Sequence, residues 1–337
     1  MFDTKLLSSD KIDIEYAASL INCGEVVGMP TETVYGLAAD ALDCNAVRKI
    51  FEAKGRPQDN PLIVHLSDVE MMDRFVCNVP ELAYRIAETF CPGPITMVLP
   101  KRDIIPDITS AGLDTVGIRI PFHKTARDLI RKCGKPLAAP SANLSGSPSP
   151  TTAKHVMDDM NGRIPAVIDG GACAVGVEST VISFENNGIR LLRPGFVSVE
   201  DLEMFGVPVF CDKGITEAVA EGEKVLSPGM KYKHYSPKAN VTIVAGELEK
   251  FIKFVSEHNG NGVYAMIYDS DAAVYPFEYI TYGNTAEEQA AQVFAQLRRA
   301  DEIGAEQIYV RFPVQNGVGF AVYNRLLRSA GFEVINV

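Results

Sequence analysis

The sequence predicts an α/β protein in two parts. The N-terminal part has α+β character around a mixed sheet, and the C-terminal part is a small, Rossmann-like parallel α/β domain. Three observations predict this. Strand and helix signals alternate through the first two-thirds, but hairpin signals interrupt them, which argues against a purely parallel sheet. The stretch from about Val209 to Asn240 has no sustained apolar period and is rich in Gly, Pro and Lys, as a linker is. After it, strands and helices alternate regularly. The expected organisation is therefore a catalytic-sized domain over 1–208, a linker over 209–239 and a C-terminal α/β domain over 240–337.

Taken in order, DKIDIEYAASLINCG carries apolar residues at helical spacing and stops at Gly24. EVVGMP is a short buried strand. CNAVRKIFEAKG is a helix with Val47, Ile50 and Phe51 on one face and Gly55 closing it, and PLIVHL is a strand. Pro80 opens the helix PELAYRIAETF. ITMVLP, TVGIRIPF and KPLAAP are strands, with HKTARDLIRKCG a helix between the last two. ESTVISF and IRLLRPG flank Asn186, Asn187 and Gly188, a hairpin signal. Ser198 with Asp201 forms a capping-box-like start for EDLEMFG. Beyond the linker, VTIVAG, VYAMIYDS and QIYVRF are strands. LEKFIKFVSEHNG, TAEEQAAQVFAQLRRADEIG and the segment around VYNRLLRSAGF are helices. Arg311 with the following FPVQNGVGF reads either as an additional site or as a β-α turn, and the turn is the favoured reading.

Composition bounds the function. The chain has 337 residues, 47% of them hydrophobic, enough for two substantial cores. No stretch is apolar for long enough to span a bilayer. The start MFDTKLLSSDK lacks the features of a signal peptide, so a cytoplasmic location with no membrane contact is expected. The seven cysteines are scattered and form no CxxC pair, which fits reduced thiols better than a disulfide framework or a zinc ribbon. Net charge is −11 and the acid excess lies on both sides of the linker. An anionic ligand must then be met by a local cluster of cations.

The familiar nucleotide cradles are missing: there is no GxxxxGK[ST] and no GxGxxG opening a helix, and HExxH and GxSxG are absent too. Five segments carry polar chemistry instead. In KGRPQDNPLIVHL, Pro57 and Pro61 stiffen a loop that presents Lys54, Arg56, Asn60 and His65. GMPTETVYGLAADA places Thr31, Glu32, Thr33 and Tyr35 beyond a strand end. PLAAPSANLSGSPSPT runs from a strand into Ser141, Asn143, Ser145, Gly146 and Ser149, a composition that lets backbone N–H groups approach an anion. DTVGIRIPFH puts Arg119 inside an apolar strand, and VGVESTVISF with LLRPG offers Glu178, Ser179, Thr180 and Arg193. Each segment has an ordinary structural reading too: a solvated helix end, a capped loop, a surface loop, an edge-strand arginine, a polar hairpin end. Together they describe Lys54, Arg56, Arg119 and Arg193 converging on a pocket for a polyanion.

These motifs occur in the order seen in the YrdC-type threonylcarbamoyl-adenylate synthases, which the chain resembles over roughly residues 10 to 205. SPGMKYKHYSPKA and the C-terminal α/β region resemble the long, two-domain (Sua-type) form of that family. The resemblance implies a YrdC-like twisted mixed sheet with helices around a cationic cleft. It also implies a nucleotidyl-transfer reaction: L-threonine, bicarbonate and ATP, with Mg²⁺, give threonylcarbamoyl-adenylate and pyrophosphate. The adenylate then feeds a separate tRNA threonylcarbamoyl transferase, with a weak direct tRNA contact by the synthase an open expectation. Matched position by position, the family pattern implies that Thr33, His65, Arg119 and Thr180, with the backbone near Ala139, contact L-threonine. Arg56, Asn60, Thr115, Ser141, Ser149 and Arg193 would contact ATP, and Lys54 and Arg56 are the basic residues implied in catalysis. A linker tyrosine is also expected at the nucleotide, Tyr235 first and Tyr232 second, because spacing does not decide between them. The linker itself reads either as a lid that keeps water from a labile adenylate or as a plain tether. A nucleic-acid-binding module without ATP turnover and a carbamoyl transferase are the rival readings of the same cations.

Overall fold

The computed structural model describes residues 2–58, 60–185, 187–217 and 235–337. The first part of the chain forms β1 (Lys5–Leu7), α1 (Lys11–Asn22), β2 (Val27–Met29), β3 (Gly36–Asp40), α2 (Cys44–Lys54), β4 (Ile63–His65), α3 (Glu81–Phe90), β5 (Ile95–Pro100) and α4 (Asp107–Ser110). It continues through β6 (Thr115–Arg119), α5 (Lys124–Cys133), β7 (Leu137–Ala138), α6 (Ala153–Met160), β8 (Ala166–Ile168), β9 (Thr180–Glu185), β10 (Gly188–Arg193), α7 (Val199–Glu203) and β11 (Val209–Cys211). The C-terminal part holds β12 (Asn240–Ala245), α8 (Leu248–Glu257), β13 (Val263–Ile267), β14 (Tyr279–Thr281), α9 (Ala286–Glu302), β15 (Gln307–Arg311), α10 (Gly319–Ser329) and β16 (Val334–Asn336).

Two sheets result. The first has eleven strands in the order β1-β8-β2-β3-β7-β4-β6-β5-β9-β10-β11, and the second has five in the order β14-β13-β15-β12-β16. The first is mixed: β4 pairs with β6 in parallel but with β7 antiparallel, and β9 and β10 form the antiparallel hairpin that the Asn-Asn-Gly turn predicts. Every pairing in the second is parallel, as the β-α alternation predicts.

Local chemistry sets the helix ends. Asp10 accepts from the Asp13 N–H to start α1, and Asp43 accepts from Asn45 to start α2. Helix α2 closes on Gly55 at φ 61°, a left-handed conformation that glycine adopts without strain. Capping boxes start α7 (Ser198, Asp201) and α9 (Thr285, Glu288). In α1, Ile14, Ala17, Ala18 and Ile21 are buried, and they form one core with Leu129 and Ile130 of α5 against β2 and β8. Burying each large aliphatic side chain there contributes about 1.5–3 kcal/mol. The main core gathers α2, α3 and α6 against the central strands.

Several elements were not legible beforehand. Strand β3 lies in GLAAD, whose glycine and alanines have weak strand propensity, yet it is buried along its length between β2 and β7. The short strands β1, β8, β14 and β16 and the helix α6 also went unread. The expected linker begins later than its composition suggests, because Val209–Cys211 pairs in parallel with β10. Arg311 is a structural latch: it pairs with Asp271 at 3.1 Å and donates to the Gly246 carbonyl at 2.8 Å.

Candidate active site

The strand ends of the mixed sheet border a cleft of about 690 Å³ that opens to solvent. Lys54 and Arg56 reach it from the end of α2, His65 from β4, Arg119 from the end of β6 and Arg193 from the end of β10. Ala139 and Ser141 follow β7, Ser145 to Ser147 form a rim, Glu178 and Ser179 precede β9, and Tyr235 enters from the far side of the linker. Sheet register holds these groups together. His65 stands opposite both Arg119 and Leu137, and Gly36 bridges to Ser141.

Lys54 is buried. Its ammonium donates to the Ser141 carbonyl, to the Asn143 carbonyl at 2.8 Å and to Asn143 Oδ1 at 3.3 Å, so it ties α2 to the Ser-rich loop. The backbone adds to this tie, since Ser145 N–H donates to the Lys54 carbonyl at 3.0 Å. Burial, and next the Arg56 charge, push the Lys54 ammonium well below its ordinary pKa.

Arg119 is 4% exposed and sits on an interior strand, so the edge-strand reading fails. It pairs with buried Glu32 at 2.8 Å. Burial raises the Glu32 carboxyl, but the Arg119 charge and hydrogen bond outweigh it and leave the group below the usual carboxylate range. His65 is buried, with Nδ1 3.2 Å from the Ile63 carbonyl, and burial together with the Arg119 charge lowers its pKa to about 3. It is therefore neutral at physiological pH, with its ring set between the backbone at Ile63 and at Leu137.

Arg193 donates from Nε and Nη2 to the Ser179 carbonyl at 3.1 and 3.0 Å. Burial lowers its pKa to about 10. Glycine is required two residues later: a Cβ on Gly195 would lie 2.3 Å from the Thr180 nitrogen and 2.7 Å from the Glu178 oxygen. Glu178 accepts from the Ser149 hydroxyl at 2.6 Å and from Arg325 Nε at 2.7 Å.

The predicted residues divide in two. Lys54, Arg56, His65, Arg119, Ala139, Ser141, Arg193 and Tyr235 line the cleft. Thr33 lies beside the lining residue Val34, and its hydroxyl is 3.0 Å from that of Thr31. Thr180 donates its hydroxyl proton to the Val197 carbonyl at 2.7 Å, and Ser149 spends its own on Glu178. Thr115 lines a separate, smaller cavity with Pro61 and Thr96. Asn60, the residue before Pro61, is fully buried, and its amide oxygen and nitrogen have no hydrogen-bond partner. An amide kept in that state awaits a ligand or costs stability. Tyr232, with Lys231, Lys233 and His234 of the expected lid, lies outside the described residues.

Sequence reasoning gave Glu178 and Asn143 no role and missed Arg325 entirely. Asn143 was visible beside Ser141, whereas nothing local marks a helical arginine 147 positions from its partner. Among the described residues no group of three His, Cys, Asp or Glu side chains could hold a metal. Glu178, which lines the cleft, and Glu32, which backs Arg119, are each engaged by an arginine.

Comparison with known proteins completes the picture. Residues 19–195 match the family Sua5_yciO_yrdC, described as "Telomere recombination", and residues 197–331 match Sua5_C, described as "Threonylcarbamoyl-AMP synthase, C-terminal domain". A Bacillus subtilis threonylcarbamoyl-AMP synthase is 44% identical, covering 98% of this chain and 97% of its own length. One from Pyrococcus abyssi is 43% identical over 96% of each chain. The crystal structure of P. abyssi Sua5 complexed with L-threonine superposes with a TM-score of 0.91 at 40% identity, covering 99% of this chain and all of that one. The two-domain fold is thus shared across the full length, and the chain belongs to the Sua5/YciO/YrdC family in its two-domain, threonylcarbamoyl-AMP synthase form.

Proposed function

We propose that the protein makes L-threonylcarbamoyl-adenylate from L-threonine, bicarbonate and ATP, with release of pyrophosphate. The observation that carries this reading is the convergence of Lys54, Arg56, Arg119 and Arg193 on one cleft, in a chain 44% identical to a threonylcarbamoyl-AMP synthase.

The amine of threonine and bicarbonate condense to a carbamate with loss of water. A carbamate oxygen then attacks the α-phosphorus, and the bond to the β-phosphate oxygen breaks as pyrophosphate leaves. That second step asks the protein for little proton transfer. It asks for in-line placement and for charge against the crowded phosphates. Lys54, Arg56 and Arg193 supply the charge at the nucleotide. Asn60, Ser141, Ser149 and Tyr235 are its further contacts, with Asn60 offering its unspent amide; Thr115, which lines the separate cavity, is not among them. Mg²⁺ would enter with ATP as part of the substrate and supply positive charge at the phosphates; the lining carboxylate Glu178 is already engaged by Arg325.

Threonine falls to the other end. The Arg119 fork, backed by Glu32, orients its carboxylate beside the lining residue Ala139, and Thr33 and Thr180, neighbours of the lining residues Val34 and Ser179, complete the site from behind. Neutral His65 orients the ligand and does not serve as a base. The relative from P. abyssi holds L-threonine in its crystal structure, which supports this assignment. The adenylate passes to a tRNA threonylcarbamoyl transferase, with at most a weak direct contact between this protein and tRNA. No helix among the described residues is long and apolar enough to cross a membrane, and a cytoplasmic site of action belongs to the same reading.

Pyrophosphate release from MgATP tests it. Release should require both L-threonine and bicarbonate. Arg56→Ala should lower kcat/KM for ATP about 30-fold or more, the scale of a lost charge-assisted contact. Thr33→Ala should act mainly on the KM for threonine. Turnover indifferent to threonine would refute the assignment.

A further inference from the structure

A carboxylate on the wall of a polyanion cleft should repel the ligand. Glu178 is such a group: it lines the cleft and its peptide leads into Ser179, which holds Arg193. Its charge is answered from the C-terminal domain. Arg325 of α10 has no solvent exposure and donates from Nε to Glu178 Oε2 at 2.7 Å. Asn324 Oδ1 accepts from Arg325 Nη1 at 2.9 Å and holds the guanidinium in place. The guanidinium carbon lies 5.7 Å from the ring centroid of Tyr235, which lines the same cleft and packs on Phe294 of α9 with ring centroids 5.1 Å apart. The approach of the two domains is built into the sequence. A Cβ on Gly176 would lie 2.4 Å from the Ala290 oxygen of α9, and Val34, Val175 and Val177 belong to the C-terminal core.

In a buried, weakly screened site, unit charges at hydrogen-bond distance largely cancel as seen from a third group. Without Arg325, Glu178 would face incoming phosphates with only the Ser149 hydroxyl and the Arg193 charge to offset it, and would draw on the Arg193 guanidinium that the nucleotide needs. We propose that Arg325 is a positioning residue for the nucleotide: the C-terminal domain supplies the counter-charge that silences Glu178, and the polyanion site is complete only with that domain docked.

This rests on the synthase reading, so ATP binding and turnover are measured separately. Calorimetric titration of the full-length protein with MgATP should give a Kd at least tenfold weaker for Arg325→Met, with the threonine KM moving less than threefold. The double variant Glu178→Gln/Arg325→Met should recover at least half of that loss on a logarithmic scale. Should Arg325→Met not fold, the near-isosteric Glu178→Gln decides alone: it leaves Arg325 as an uncompensated cation and should bind ATP at least threefold more tightly. ATP affinity unchanged in folded Arg325→Met, a double variant no tighter than the single, or weaker binding by Glu178→Gln would each overturn the inference. A purely structural role moves the melting temperature without this pattern. Threonine-independent turnover, with the binding pattern intact, would sink the synthase reading and leave the counter-charge standing.

Discussion

Lys54 occupies a position that disfavours its own charge. It is buried, Arg56 is the charge that lowers its pKa most, and Arg298 adds to the repulsion while Asp159 and Glu178 oppose it. A triphosphate brought to the cleft reverses that balance and favours the ammonium. ATP binding should therefore take up a proton in the pH range between the lowered pKa of the free enzyme and the higher pKa of the complex. Across that range the Kd for ATP should rise by up to tenfold per pH unit, and Lys54→Arg, which stays charged, should flatten the profile. Titration calorimetry in buffers of different ionisation enthalpy reads both the affinity and the proton. His65 makes the opposite kind of expectation. With its pKa at about 3, it contributes no titration between pH 5.5 and 8, and His65→Gln should raise the KM for threonine while kcat changes only a few-fold. Loss of turnover with threonine affinity intact would show that the imidazole does chemistry after all.

At the level of elements, the Ser-rich loop after β7 is held from two directions. Lys54 grips its start, and Arg298 of α9 grips its end through the Pro148 carbonyl at 2.6 Å and Asp159 at 2.7 Å. Asp159 in turn accepts from the Leu144 N–H at 3.3 Å. The loop thus keeps its backbone placed without belonging to a helix or a strand. Arg298→Ala removes two charge-assisted contacts of about 1.5–3 kcal/mol each and leaves Asp159 half-paired. Amide exchange in residues 144–147 should quicken at least tenfold, and ATP affinity should weaken severalfold. Unaltered exchange there would mean that the loop holds itself.

For the whole molecule, the pKa shifts at the cleft and the α6 face all point the same way in acid. Burial lowers His65 to about 3 and His155 to about 4. Below the ordinary histidine value of about 6.5 the unfolded chain binds protons that the folded chain refuses, so stability falls as pH drops from there toward those values. Each histidine contributes about 1.4 kcal/mol per pH unit over its window. Glu32 and Glu178, held low by their arginines, give stability that is present above the unfolded carboxylate value and is lost further down in pH. The melting temperature should drop by several degrees between pH 7.5 and 5 and more steeply below that, as a thermal melt series reads. A flat profile to pH 5 would mean that the two imidazoles are hydrated in the folded state.

Local chemistry wrote much of this protein in one dimension. Helix α2 with its Gly55 stop, the hairpin of β9 and β10, the parallel C-terminal alternation and the four cleft cations could be read because caps, turns and apolar periods act over a few residues. Tertiary structure decided the rest. It made GLAAD an interior strand, drew Val209–Cys211 into the sheet, gave Arg119 the partner Glu32 and set Arg325 against Glu178. Those outcomes depend on which distant groups a buried charge or a weak strand meets, and such meetings are fixed by packing and desolvation, which no stretch of neighbouring residues encodes.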